Sequence, residues 1–159
     1  MFVRRTWIDA PAAEVFRWHA EPGTLARLTP PWEHVKVEEE GPIEEGTEVR
    51  LRVHVGPFSL PWVARIEQVV PGRMFRDVQV RGPFALWEHT HSMERAAPGA
   101  CWLIDRVVYA PPFGVLGRWF GGRLVRARLE RMFAYRHGVT QDAFVGWRAA
   151  RRMVAAGVL

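Results

Sequence analysis

With 159 residues, 48% of them hydrophobic, the chain is long enough to bury the core of one domain spanning residues 1–159. The net charge of +5 comes almost wholly from arginine, Lys36 being the single lysine, and no phosphate loop, zinc finger or RNA-reading motif accompanies it, which disfavours nucleic acid as a partner. Cys101 is the only cysteine, which excludes an internal disulfide or a cysteine-built zinc site; no signal-like segment and no apolar run near the ~20 residues that cross a bilayer is present, so a cytoplasmic protein without stable membrane insertion is expected.

Taken from the N-terminus, "MFVRRTWIDA" alternates as a strand, with Phe2, Arg4, Thr6 and Ile8 on one face and Val3, Arg5 and Trp7 on the other. Asp9 is a candidate N-cap and Pro11 suits a first helical turn, so Val15, Phe16, Trp18 and His19 fall on a short amphipathic helix. A second short helix follows Pro22 and stops at Pro30-Pro31.

From Glu33 to Ala110 the hydrophobic period becomes two, punctuated at Gly41-Pro42, Gly56-Pro57, Pro71-Gly72, Gly82-Pro83 and Pro98-Gly99, which predicts about six antiparallel strands. The clearest, "TEVRLRVHV", buries Val49, Leu51, Val53 and Val55 and turns His54 to solvent. Gly114 and Gly117 read as turn punctuation and Gly121-Gly122 as a break. After them one long helix is expected to reach Val154, with Val125, Leu129, Met132, Phe133, Val139, Ala143 and Trp147 on its apolar face. The charged residues among them suit a solvated helix face, as Glu38 to Glu40 suit a wet strand end; Trp7, Trp18 and Trp102 are expected to pack.

A strand, two short helices, six strands and a long helix bury their apolar faces when a curved antiparallel sheet of about seven strands wraps the final helix, an α+β architecture. This order resembles the helix-grip fold of the START-like, or SRPBCC, superfamily. The segments "FRDVQVRGPFALWEHTHSM", "DRVVYAPPFGVLG" and "RMFAYRH" are similar to its bacterial polyketide cyclase/dehydrase-like, ligand-binding branch. The resemblance implies a cavity between sheet and helix for a small apolar or amphipathic molecule, and no cofactor. Some members of that branch are fused to sugar-epimerase-like domains. This chain carries no GxGxxG, so a separate epimerase-like or biosynthetic enzyme is the companion implied.

Read as a strand from Gly82 to Glu94, "GPFALWEHTH" and its continuation put Trp87, His89, His91 and Met93 inward and Glu88, Thr90, Ser92 and Glu94 outward. Phe84 and Leu86 argue for a bulge near Pro83. A turn centred near Pro98 sets His91 opposite Asp105 and Trp87 opposite Tyr109. Arg136 falls on the apolar helix face and requires an acceptor, for which Asp77, Asp105 or a ligand carboxylate are candidates.

The favoured reading is a binding module with walls from Trp62, Trp87 and Phe133 and a polar cluster of Gln79, His89, His91, Asp105, Tyr109 and Arg136. The alternative is a cyclase/dehydrase-type enzyme in which His89 or His91 is the general base and Tyr109 or Arg136 stabilises an enolate; no nucleophile motif supports it. A metal site built on His89 and His91 ranks lower, since two histidines need a third ligand: Asp105 is a candidate, whereas His19, His34 and His137 have no stated reason to converge.

Overall fold

The computed structural model describes residues 1–55, 57–111 and 114–155. The turn expected at Gly56-Pro57 and part of "APPFGVLG" lie outside the described residues. The element order is β1 (Phe2–Ile8), α1 (Ala12–His19), α2 (Thr24–Arg27), β2 (Val35–Glu39), β3 (Glu48–Val55), β4 (Phe58–Val70), β5 (Met74–Arg81), β6 (Leu86–Ala97), β7 (Ala100–Ala110), α3 (Gly114–Ala143) and α4 (Trp147–Ala155). The seven strands form one antiparallel sheet in the order β1-β7-β6-β5-β4-β3-β2. β2 to β7 pair as successive neighbours, and β1 closes the β7 edge. Register shifts in the β2–β3, β4–β5 and β6–β7 ladders mark bulges, which bend strands and increase twist. The sheet curves around α3, giving the helix-grip arrangement.

β1 alternates as its sequence dictates, with Phe2 and Ile8 buried and Val3, Arg5 and Trp7 exposed. On the outer face Trp102 meets Trp7 edge to face and carries the Arg5 guanidinium 3.9 Å from its ring centroid. Gly99, at φ 75°, turns the chain between β6 and β7 in a conformation that side-chain-bearing residues rarely adopt. This turn sets the register that places His91 opposite Asp105 and Trp87 opposite Tyr109.

Four local expectations are corrected. α1 starts one residue after Pro11, and Pro11, not Asp9, occupies the N-cap position. β6 begins at Leu86, and the Gly82–Phe84 stretch is a bend stitched by Gln79, whose side chain donates to the Phe84 carbonyl at 2.7 Å and accepts from its amide at 3.3 Å. α3 runs through Gly114, Gly117 and Gly121-Gly122 without a break, because a helical glycine costs only about 1 kcal/mol relative to alanine. The helix ends at Ala143 instead of continuing to Val154: Gly146, at φ 74°, turns the chain into α4.

The buried stripe of α3 is also rotated from the expected one. Leu129, Phe133, His137 and Thr140 face inward, as does Phe144 just past the helix, whereas Ala143 is exposed. Two apolar clusters result. One gathers Ile8, Val15, Phe75, Met93, Leu103 and Phe144; the other gathers Phe2, Trp87, Val107, Leu129 and Phe133. Cys101 belongs to the first, and burial pushes its thiol up to about 11, so it behaves as a small hydrophobe.

Candidate functional site

Each element that crosses the interior carries a polar residue between its contributions to the two clusters. On β1 it is Thr6, between Phe2 and Ile8; on β6, His89 and His91, between Trp87 and Met93. On β7 it is Asp105, between Leu103 and Val107, and on α3 it is His137, between Phe133 and Phe144, which directly follows the helix. Asp77, two residues beyond Phe75 on β5, joins the same level. The fold thus holds a polar layer inside an apolar core.

Asp105 is the centre of that layer. Its Oδ1 accepts from His89 Nε2 at 2.8 Å and its Oδ2 accepts from His137 Nε2 at 2.7 Å. His91 Nδ1 also lies 2.8 Å from Oδ1, but out of line for a hydrogen bond, so that contact is an ion pair. His137 Nδ1 is 2.7 Å from the Thr6 hydroxyl, which ties α3 to β1. On the other side of the two β6 imidazoles stands Asp77, with Oδ1 3.4 Å from His89 Nδ1 and 3.4 Å from His91 Nε2. The His91 ring stacks on Phe75 at 4.1 Å and 17°.

These contacts divide the charge between neighbouring groups. Burial disfavours a charged His91, but the Asp105 and then the Asp77 carboxylates overcome it and hold its pKa up at about 9. Burial and the adjacent His91 charge depress His89, and the same two carboxylates do not restore it. Burial alone would raise both aspartates; the His91 charge and the imidazole hydrogen bonds hold Asp105 well below the usual carboxylate range, and the His89 and His91 charges lower Asp77. His19, at the end of α1, is lowered to about 4, chiefly by burial. Its Nδ1 is 2.8 Å from the Val15 carbonyl, which can only accept, so Nδ1 carries the proton and Nε2 is an acceptor.

Beside this layer, between the sheet and α3, lies a pocket of about 680 Å³, within the usual size of small-molecule sites. Val53, Trp62, Ala64, Ile66, Leu129 and Met132 supply apolar walls, and His19, Asp77, His89, His91 and Arg136 supply polar groups. Glu33 lines it too, gripped by Arg128 of α3 through both carboxylate oxygens. The Arg136 guanidinium lies 5.4 Å from the Phe133 ring centroid, and its Nε is buried without a hydrogen-bond partner. Burial lowers the Arg136 pKa from its usual value; Asp105 and Asp77 oppose this from a distance, but neither forms an ion pair with it among the described residues.

Of the residues singled out from sequence, Trp62, Trp87, His89, His91 and Arg136 line the pocket. Asp105 stands behind the histidines and does not reach the pocket wall. Phe133 is fully buried core, Tyr109 packs near Phe84 in the second cluster, and Gln79 is spent on the β5–β6 bend. Sequence reasoning missed His19 and His137, which do converge here, and gave Asp77 only as a partner for Arg136. Its signal was alternation: Phe75 and Asp77 share one face of β5, as His89 and His91 do on β6.

A profile of the family described as "Polyketide cyclase / dehydrase and lipid transport" matches residues 8–133. The protein belongs to this family. Solved structures share the fold of this family member. A START superfamily protein from Mycobacterium smegmatis is 12% identical, with a TM-score of 0.67 over 92% of this chain and 97% of that one. The Zhui aromatase/cyclase from Streptomyces sp. R1128 is 21% identical, with a TM-score of 0.61 over 96% and 94%. A nucleoside-diphosphate sugar epimerase from Corynebacterium glutamicum is 25% identical, with a TM-score of 0.64 over 89% of this chain and 28% of that longer one. No curated protein sequence matches the chain. Among the described residues, no helix is long and apolar enough to cross a membrane.

Proposed function

We propose that this family member binds and carries a small apolar or amphipathic molecule in the pocket, with the oxygen-bearing end of the molecule against His19, His91 and Arg136. The observation that carries this reading is the segregation of the pocket itself: apolar side chains form the bulk of its wall, while titratable groups gather where the two core clusters meet. Arg136 and protonated His91 offer donors, and His19 Nε2 offers an acceptor. The buried, unpartnered Nε of Arg136 supports an anionic or carbonyl oxygen as its complement, because an arginine desolvated without an acceptor is costly. The match to part of a longer epimerase chain supports an epimerase-like or other biosynthetic enzyme as a separate companion.

Native mass spectrometry of untagged protein purified without detergent tests the reading, combined with titration of a carboxylated and a neutral apolar probe of equal chain length. Carriage predicts one small molecule per chain, released unchanged on denaturation. Arg136→Gln should weaken the carboxylated probe by roughly 10- to 150-fold while leaving the neutral one unaffected, since a hydrogen bond to a charged group contributes roughly 1.5–3 kcal/mol. Equal effects on both probes would contradict this orientation.

One observation favours a second reading, a cyclase/dehydrase-type enzyme. His89 and His91 are neighbours driven to opposite protonation preferences, the pattern that separates a base from an acid in many active sites. His89 would then take the proton and Arg136 would stabilise the enolate; Tyr109 lies away from the pocket wall. Turnover of a poly-β-ketone analogue by the wild type, lost in His89→Gln, would favour the enzyme over the carrier.

A further inference from the structure

The two β6 histidines are arranged in a way that ligand carriage does not require. Each imidazole turns one nitrogen to Asp105 Oδ1, at 2.8 Å for both His89 Nε2 and His91 Nδ1, and the other to Asp77 Oδ1, at 3.4 Å for both His89 Nδ1 and His91 Nε2. A separation of 3.4 Å is too long for a good hydrogen bond. It does match the edge of a coordination tetrahedron, since ligand atoms bound at about 2.0–2.1 Å lie roughly 3.3–3.4 Å from each other. The three atoms Asp77 Oδ1, His89 Nδ1 and His91 Nε2 all lie within 4.8 Å of one another.

The geometry points to a divalent transition-metal site in which Asp77, His89 and His91 bind the ion and Asp105 orients both imidazoles from behind. Metal-bound histidines almost always give their second nitrogen to a carboxylate or carbonyl; Asp105 accepts from His89 Nε2 and stands 2.8 Å from His91 Nδ1 as its ion-pair partner. Asp105 is itself fixed by His137 Nε2 at 2.7 Å, so the orienting group is anchored to α3. Two carboxylates flanking the point match the charge of a divalent ion. Two imidazole nitrogens and one carboxylate oxygen suit zinc, iron, cobalt or nickel better than magnesium or calcium, which take oxygen ligands. All three proposed ligands line the pocket, which leaves the remaining coordination position open to an oxygen of a bound small molecule. The sequence offered Asp105 as the third ligand; the structure gives that place to Asp77 and sets Asp105 one layer back. Binding the ion displaces the His91 proton, so His91 then coordinates the metal instead of donating to a bound molecule, while the apolar walls that carriage relies on are unaffected.

The test uses untagged full-length protein, dialysed against a chelator and then titrated with Zn²⁺ by calorimetry and with Co²⁺ by visible absorption. One Zn²⁺ per chain is expected, together with the intense visible bands of four-coordinate Co²⁺. Asp77→Asn and His89→Ala should each abolish stoichiometric uptake. Asp105→Asn should weaken it about 10–100-fold without changing the stoichiometry. His54→Ala, on the exposed side of β3, should leave it unchanged. Circular dichroism checks that each variant is folded; if His89→Ala is not, the near-isosteric Asp77→Asn decides, since its side chain sits at the pocket surface. No stoichiometric uptake by the folded wild type would overturn the site, as would equal affinity and stoichiometry in Asp77→Asn.

Discussion

His137 Nε2 donates to Asp105 Oδ2 across 2.7 Å, which pins the long helix to the same carboxylate that orients the two pocket histidines. The bond couples the position of α3, and with it Arg136 one residue earlier, to the charge state of β6 and β7. A buried carboxylate in this position stabilises only because three imidazoles share it; by itself, its desolvation would be strongly unfavourable.

Removing that carboxylate should therefore cost more than a typical core truncation. Asp105→Ala strands His89 and His137 donors and leaves the His91 charge with Asp77 alone, so destabilisation of about 3–5 kcal/mol is expected in urea melts. A loss below ~1 kcal/mol would mean that the polar layer contributes little to the fold.

The pH dependence follows from the opposed shifts. His91 is raised from 6.5 to about 9, so its contribution to stability is complete below pH 6.5 and is lost as pH rises through about 9. His19 is lowered from 6.5 to about 4, so folding gains nothing further above pH 6.5 and loses stability as pH falls toward 4. Asp105 and Asp77, both depressed, add to the acid limb, because their stabilisation is lost as they become protonated. Stability of chelator-treated protein should peak near neutrality, and His91→Gln should flatten the alkaline limb specifically. Urea midpoints measured from pH 4 to 10 check this; an unchanged alkaline limb in His91→Gln would count against the assignment.

The bend before β6 has its own prediction. A methyl group at Gly82 would meet Gln79 Oε1 at 2.3 Å, so Gly82→Ala must displace the side chain that holds Phe84. Phe84 lies against Trp62 and Trp87 at 5.7 and 5.0 Å. The variant should lose about 1 kcal/mol for the broken hydrogen bonds and shift the emission of the tryptophans beside Phe84. Unchanged fluorescence and stability would show that Gln79 does not hold the bend.

Where alternation dominates, the sequence was readable. The period-two run from Glu33 to Ala110 predicted the six-strand meander, and a turn centred near Pro98 predicted the His91–Asp105 register. Readability failed where polar residues occupy buried places. His137 and Thr140 complete the inward stripe of α3 at helical spacing from Phe133, but a search for apolar residues alone passes over them and selects exposed Ala143. His19 reaches the site through the placement of α1, a tertiary feature without a local pattern, whereas Asp77 was legible in the alternation of β5 and was read only as a partner for Arg136. The end of α3 was hidden because the apolar period continues past it to Trp147, while the positive φ at Gly146 breaks the helix.

The most direct test of ligand carriage is to fill the pocket from its sheet side. Ala64, buried on β4 and lining the cavity, tolerates a larger side chain only by taking ligand volume. Wild type and Ala64→Phe should be titrated with a dansyl-labelled fatty acid, a neutral naphthalene dye and a flat polyphenol. The account predicts saturable 1:1 binding of at least one probe by the wild type and at least a tenfold loss in Ala64→Phe. Absence of saturable binding for all three probes, or equal affinity in the two proteins, would contradict it.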